Sequence, residues 1–365
     1  MDAKRRRLVR AAGLAAGAVA LIAAHAAAQG QAKIAGEGAT AELGEGLYTG
    51  AAIRAECATV WPVYTRAEIA DVGDDFVTLA DAQAARAAEI RETGADDGGG
   101  TVNTLVVENR GAKPILVLAG TLLKGGKQDR QVGQDFIVPA RATVAADAFC
   151  VEHGRWTAAR DGEDTGGSFQ AKQALATKAV RKKAQFEGDQ SGVWEEVAKE
   201  NARAGKAPES GTLLATVEDA DAKAAARRAS VEKAIRDALA AARGRGARPV
   251  GLAYAVAGKV REVRVFTHPR IFERFEKTLA STIALEELQG FRAARGAACR
   301  AGDVAKVVAL VRGASSDEAK ARARKVTTQA GSVNELREAG DALSTECLPS
   351  AGAKKGVTQS YMYEE

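Results

Sequence analysis

Apolar positions along the chain follow two different periods, and each period predicts its own kind of element. Residues 53–65 (IRAECATVWPVYT) are apolar and β-prone, and 75–80 (DFVTLA) read as a strand. Residues 81–92 (DAQAARAAEIRE) read as a short helix capped by Asp81, followed by the loop GADDGGG at 94–100. The clearest β signal comes next. TLVVEN (104–109) and PILVLAG (114–120) flank a turn at 110–113, and DFIVPA (135–140) and TVAADAFCV (143–151) follow. Strands this close in sequence favour antiparallel pairing in a sandwich or barrel-like sheet.

From about 169 to 245 the pattern turns helical. Residues 171–186 are rich in Lys and Ala, and Ser191 is placed to cap a helix that closes at Gly205. Ser230 is placed to cap a second helix whose stripe is Val231, Ile235 and Leu239. Residues 250–258 and 260–266 form a predicted hairpin around Gly258. Pro269 then opens an amphipathic helix with Phe272, Phe275, Leu279 and Ile283 at helical spacing, a stripe that reads as core. A helix over 304–312 and short β-prone pieces from 324 to 363 complete the chain. The expected fold class is α+β, with an antiparallel β-rich core, a helical middle segment and packed C-terminal helices. The expected organisation is residues 1–28 as a signal, 29–50 as a leader, and one domain over 51–363 that is β-rich to 165, helical over 169–245 and mixed over 248–363.

The N-terminus changes how the charge is read. Lys4, Arg5, Arg6, Arg7 and Arg10 precede an apolar run at 11–24 and a small-residue cleavage site near Ala28, the pattern of an export signal. Both Sec and Tat routes fit. The whole 365-residue chain carries a formal net charge of +5. The signal holds five basic residues and one acidic, so the mature chain keeps 47 Lys and Arg against 46 Asp and Glu. No general field for phosphate backbones remains, which argues against a nucleic-acid partner. Once the signal is cleaved, no stable membrane span is expected.

Cys57, Cys150, Cys299 and Cys347 show no CxxC spacing, and the mature chain keeps only His153 and His268, so no metal site is expected. Outside the cytosol disulfides form. Cys299–Cys347 is the preferred bridge and Cys57–Cys150 the second pairing considered.

The candidate site lies between residues 120 and 156. One Gly-punctuated polar segment runs from Gly120 to Arg130 and contains Gly125-Gly126-Lys127-Gln128. The other is Cys150-Val151-Glu152-His153-Gly154-Arg155-Trp156. Lys127, Gln128, Arg130, Arg155 and Trp156 are the ligand-binding candidates: cations and an amide for an anion, an indole for stacking. Glu152 is the candidate general base of a hydrolase. Each has a plainer reading. The glycines lack the P-loop spacing and suit a tight turn, the arginines suit ion pairs with Glu152, and Cys150 suits a buried thiol.

Glu108 to Arg130 (E-N-R-G-x-K-P-I-L-x-L-x-G-x-L-L-x-G-G-K-Q-x-R), Val138 to Ala140 and Cys150 to Trp156 resemble the first type of ARG and Rhodanese-Phosphatase-superfamily-associated protein domain family. Val193 to Val197 and Val250 to Phe275 are similar to its later segments. The family has no established activity. Its name implies, by association with ADP-ribosylglycohydrolases and rhodanese- or phosphatase-like proteins, a ligand related to nucleotides or ADP-ribose. Three functions are therefore expected to compete: an exported protein binding a small anion, a hydrolase using Glu152, and a structural or interaction module of the cell envelope. The cofactor is unknown.

Overall fold

A computed structural model of the chain describes residues 41–67, 75–93, 103–160, 163–165, 167–294 and 299–364. The export signal expected at 1–28 and the loop at 94–100 lie outside the described residues.

The fold is α+β and its sheets are almost wholly antiparallel. The largest sheet has ten strands among the described residues. Its order is Glu42–Gly44, Leu47–Thr49, Ala58–Thr65, Gly251–Val256, Lys259–Phe266, Thr358–Tyr363, Ala342–Leu348, Val333–Ala339, Arg324–Thr327, with Ile53–Ala55 paired to Ala58–Thr65. Alternation sorts its side chains. In Gly251–Val256, Leu252, Tyr254 and Val256 point to one face, Ala253 and Ala255 to the other, and all are buried. The first face is covered by the helix Pro269–Ala293, whose Phe272, Phe275, Leu279 and Ile283 form the expected stripe. The helix Ala222–Gly244 adds Val231, Ile235 and Leu239 to the same core. The second face is covered by Val307, Leu310 and Val311 of the helix Val304–Ala314. Covering both faces explains why this strand carries an unbroken apolar run.

A six-stranded sheet runs Phe169–Leu175, Thr121–Gly125, Arg130–Val132, Thr143–Cys150, Thr104–Asn109, Ala88–Glu92. It packs one face against a small sheet of Phe136–Val138, Ile115–Val117 and Val77–Thr78, the last two strands running parallel. The helix Gln190–Arg203 covers part of its other face through Val193 and Val197.

Several sequence expectations are corrected. The leader expected to extend to residue 50 contains two strands of the large sheet, with Leu43 and Leu47 buried. The helix expected over 81–92 is only Leu79–Ala84, capped by Thr78, whose hydroxyl accepts from the Asp81 N–H at 3.1 Å. Ala88–Glu92 is a strand. Phe169–Leu175, placed in the helical region, is a strand because it pairs with Thr121–Gly125, and that pairing overrides the helix preference of its Ala, Gln, Lys and Leu. Asp189, not Ser191, is the N-cap residue of Gln190–Arg203. Asp221, not Ser230, caps the next helix, which starts at Ala222, by accepting from the Ala224 N–H at 2.9 Å.

The preferred disulfide is also corrected. Cys57 bonds Cys299, with a Cα–Cα distance of 5.0 Å, while Cys150 and Cys347 are buried free thiols. Cys57 occupies the turn before Ala58–Thr65. The segment after the long helix returns to that hairpin, where the Gly302 N–H donates to the Thr59 hydroxyl at 3.0 Å. Cys347 lies instead inside the large sheet between Asn334 and Thr358, its sulfur 3.6 Å from the Asp135 carbonyl.

Candidate functional site

Thr121–Gly125 and Arg130–Val132 are antiparallel neighbours joined by the Gly126-Lys127-Gln128-Asp129 turn. Gly126 has φ +49°, and a Cβ there would sit 2.1 Å from the Phe169 ring, so only glycine closes this turn. The Lys127 N–H donates to Glu92 at 2.7 Å. The glycines thus serve the tight turn.

Asp129, which is not among the sequence candidates, pins the turn. It is fully buried. Its Oδ1 accepts from the Gly125 N–H at 3.0 Å, its Oδ2 accepts from the Thr212 hydroxyl at 2.6 Å, and its own N–H donates to Glu152 Oε2 at 2.8 Å. The available signal was its alternation with Gln128 and Arg130: in extended chain Asp129 points the other way from them, toward Thr212.

Register places Arg130 opposite Cys150. Its guanidinium therefore turns to Gln128, whose Oε1 accepts at 3.0 Å, and to the Cys150 sulfur at 2.9 Å. Gln128 and Arg130 share a face, as expected. The anticipated Arg130–Glu152 pairing gives way to Arg155–Glu152. Burial pushes the Cys150 thiol up, and this outweighs the opposing pull of Arg130. His153 faces elsewhere, its ring edge-on to Trp194 at 4.5 Å. Cys150 is thus a protonated packing thiol without a histidine partner.

Arg155 holds the second segment in place. Nε donates to Glu152 Oε1 at 3.1 Å and Nη2 to Glu152 Oε2 at 2.8 Å. Nη1 donates to the carbonyls of Gly126 at 2.7 Å and Thr157 at 2.8 Å, and Nη2 also reaches Gly125 O at 3.2 Å. The donors of the guanidinium are used within the protein. Burial raises the Glu152 carboxyl, but hydrogen bonds from Arg155, Ser210 and the Asp129 N–H outweigh it and hold the group below the usual range. A general base works best near the operating pH, so this carboxylate is better placed to anchor Arg155 than to take a proton.

Trp156 behaves differently. Among the described residues it is the one large apolar side chain left exposed, at 49%. Lys127 Nζ lies 5.7 Å and the Arg130 guanidinium 5.8 Å from its ring centroid. It stands on a cleft of about 600 Å³, whose walls are residues 152–157 on one side and 208–218 on the other. The walls are joined by the N–H groups of His153 and Gly154, which donate to Ser210 O at 3.0 and 2.8 Å. Lys124 and Glu218 close one side as an ion pair at 2.7 Å. The structure thus brings Glu152, Arg155 and Trp156 to one cleft, puts Lys127 beside the indole, and commits Gln128 and Arg130 to packing beneath it. Sequence reasoning missed Asp129, Lys124 and the 208–218 wall with Glu218.

The arrangement can stack a planar group on Trp156 and attract negative charge to Lys127, whose Nζ is 3.9 Å from Glu92. Among the described residues, no group of three or more His, Cys, Asp or Glu stands placed to hold a metal ion, and no helix is long and apolar enough to cross a membrane. The model of the ARG and Rhodanese-Phosphatase-superfamily-associated Protein domain matches residues 46–354. No curated protein and no solved structure matches the chain.

Proposed function

From the premise that the chain belongs to this family, we propose that it is an exported protein that binds a small, planar, anionic ligand of the nucleotide or ADP-ribose class. The observation that carries the reading is Trp156, exposed at the mouth of the cleft with Lys127 Nζ 5.7 Å from its ring. A cleft of about 600 Å³ falls within the size range of small-molecule sites. The ligand-contacting set is Trp156, Lys127 and Lys124. Arg130, Gln128, Glu152 and Arg155 hold the platform rigid beneath it. Binding is favoured over turnover because Glu152 is committed to Arg155. Export is supported by the signal-like segment at 1–28 and by the Cys57–Cys299 pairing, which suits an oxidising compartment.

The test is a thermal-shift and Trp-fluorescence titration with ADP-ribose, AMP and NAD. A ligand at about 100 times its Kd adds roughly 2.7 kcal/mol, a rise of several degrees in Tm. Trp156→Ala should abolish that rise and leave the unliganded Tm unchanged. If none of the three compounds raises Tm, the binding reading is wrong. One observation favours a second reading, a structural or interaction module: most of the motif is buried and mutually paired. On that reading Trp156→Ala disrupts capture of a protein partner and leaves every small-molecule titration flat.

A further inference from the structure

A second cleft, of about 420 Å³, lies between the helix Gln190–Arg203 and the C-terminal half of the helix Pro269–Ala293. Two of its lining side chains are buried polar groups with unsatisfied atoms. Gln289 is 5% exposed, and neither its amide nitrogen nor its amide oxygen has a hydrogen-bond partner. Glu200 is 2% exposed. Its Oε1 accepts from the Thr177 hydroxyl, while its Oε2 has no partner. Leaving such atoms unpaired is costly, and their occurrence together in one cleft points to a polar ligand.

The charges around them fit that reading. Arg203 is exposed and Arg261 half-buried. Among the described residues, neither has a carboxylate within ion-pair distance. Of the acids, Glu286 accepts from the Lys178 N–H and Glu196 pairs with Lys199 at 2.6 Å. Burial pushes the Glu200 carboxyl up to about 8, with Glu286 and Glu196 adding to the rise and Arg203 opposing it. Glu200 is therefore a neutral acid at pH 7. Because Oε1 is taken by Thr177, its proton belongs on Oε2, which makes that oxygen a donor. With Glu200 neutral, cations outnumber carboxylates around the cleft.

We propose that this cleft is a second small-molecule site, separate from the Trp156 cleft, and that it takes a sugar phosphate. Arg203 and Arg261 bind the phosphate, Gln289 both donates to and accepts from sugar hydroxyls, and Glu200 donates to one of them. A neutral carboxamide beside a neutral acid suits a polyhydroxylated group, and two unpaired guanidinium groups suit a phosphate.

The test is isothermal titration calorimetry of the protein with ribose 5-phosphate, and with ribose and inorganic phosphate as separate arms. Ribose 5-phosphate is expected to bind with a millimolar or tighter Kd, inorganic phosphate at least about tenfold more weakly, and ribose not measurably. Arg203→Ala, at an exposed position that leaves the fold intact, is expected to weaken binding at least about tenfold, as is Gln289→Leu. Trp156→Ala is expected to change nothing. No heat with 10 mM ribose 5-phosphate, full binding retained by the Arg203→Ala, Arg261→Ala double variant, equal affinity for inorganic phosphate, or loss of binding in Trp156→Ala would each overturn the proposal.

Discussion

The guanidinium of Arg181 grips Glu262 with two hydrogen bonds, at 3.1 and 2.6 Å, and both side chains are buried. Glu262 also accepts from Arg264 Nε at 3.0 Å, and Arg264 reaches Asp135 at 3.3 Å. Arg181 follows the six-stranded sheet, Glu262 lies on the ten-stranded one and Asp135 leads into the three-stranded one. One chain of charges therefore ties these three sheets together.

Breaking this chain at one end leaves a charge buried without its partner. Glu262→Gln or Arg181→Met should lower stability by about 3–5 kcal/mol, read from urea unfolding. Burial alone would raise the Glu262 carboxyl, but Arg181 and Arg264 outweigh it and hold it at about 2. A depressed folded value means the pair's contribution is full above the unfolded value near 4.5 and is lost as pH falls toward 2. Acid unfolding of the Glu262→Gln variant should lack that dependence. An unchanged acid midpoint would show the pair to be unimportant.

Gly120 gives an independent check on the same packing. Its φ is +83°, and a Cβ would stand 2.1 Å from Cδ of Arg181. Gly120→Ala combines a strained backbone with a clash against a side chain that cannot move without abandoning Glu262. A loss of about 2 kcal/mol or more is expected. If the urea midpoint stays put, Arg181 is not held as described.

Glu200 titrates in the opposite sense. Its folded value, about 8, lies above the unfolded value near 4.5, so folding favours the protonated form. The stability it contributes is complete below pH 4.5 and declines as pH rises through about 8. Urea unfolding at several pH values between 5 and 9 should show stability falling by a few kcal/mol. Glu200→Gln should flatten that slope. An equally steep slope in the variant would assign the effect to another group.

The disulfide makes a prediction that needs no ligand. Non-reducing peptide mapping should recover Cys57 linked to Cys299, and thiol labelling of the unfolded, unreduced chain should modify Cys150 and Cys347 alone. Reduction should lower stability by about 2–5 kcal/mol. Recovery of a Cys299–Cys347 peptide would contradict the pairing.

The elements legible in the sequence were those whose period and length agreed. Phe272, Phe275, Leu279 and Ile283 could only be one face of a helix, and the 250–266 hairpin had a turn glycine where its pairing requires one. Phe169–Leu175 was not legible, because FQAKQAL favours a helix locally and its strand state comes from Thr121–Gly125, far away in sequence. The candidate site was half legible. Gly, Arg, Glu and Trp flagged the right two segments, but they could not show that Arg155 is occupied by Glu152 and three carbonyls. Nor could they show that the opposite wall comes from 208–218. The partner of Cys299 lies 242 residues away in the chain, and spacing carries no information at that range.

The order of strands in the large sheet also bears on how the molecule is made. Thr358–Tyr363, from the last part of the chain, lies in the interior, between Lys259–Phe266 and Ala342–Leu348. Until that segment emerges from the ribosome, both neighbours carry unpaired edges, and the two halves of the sheet stay unjoined. Such long-range closure is slow. Until then those two edges are open to whatever holds the nascent chain unfolded, and deleting these few residues would not fray an edge but divide the sheet in two.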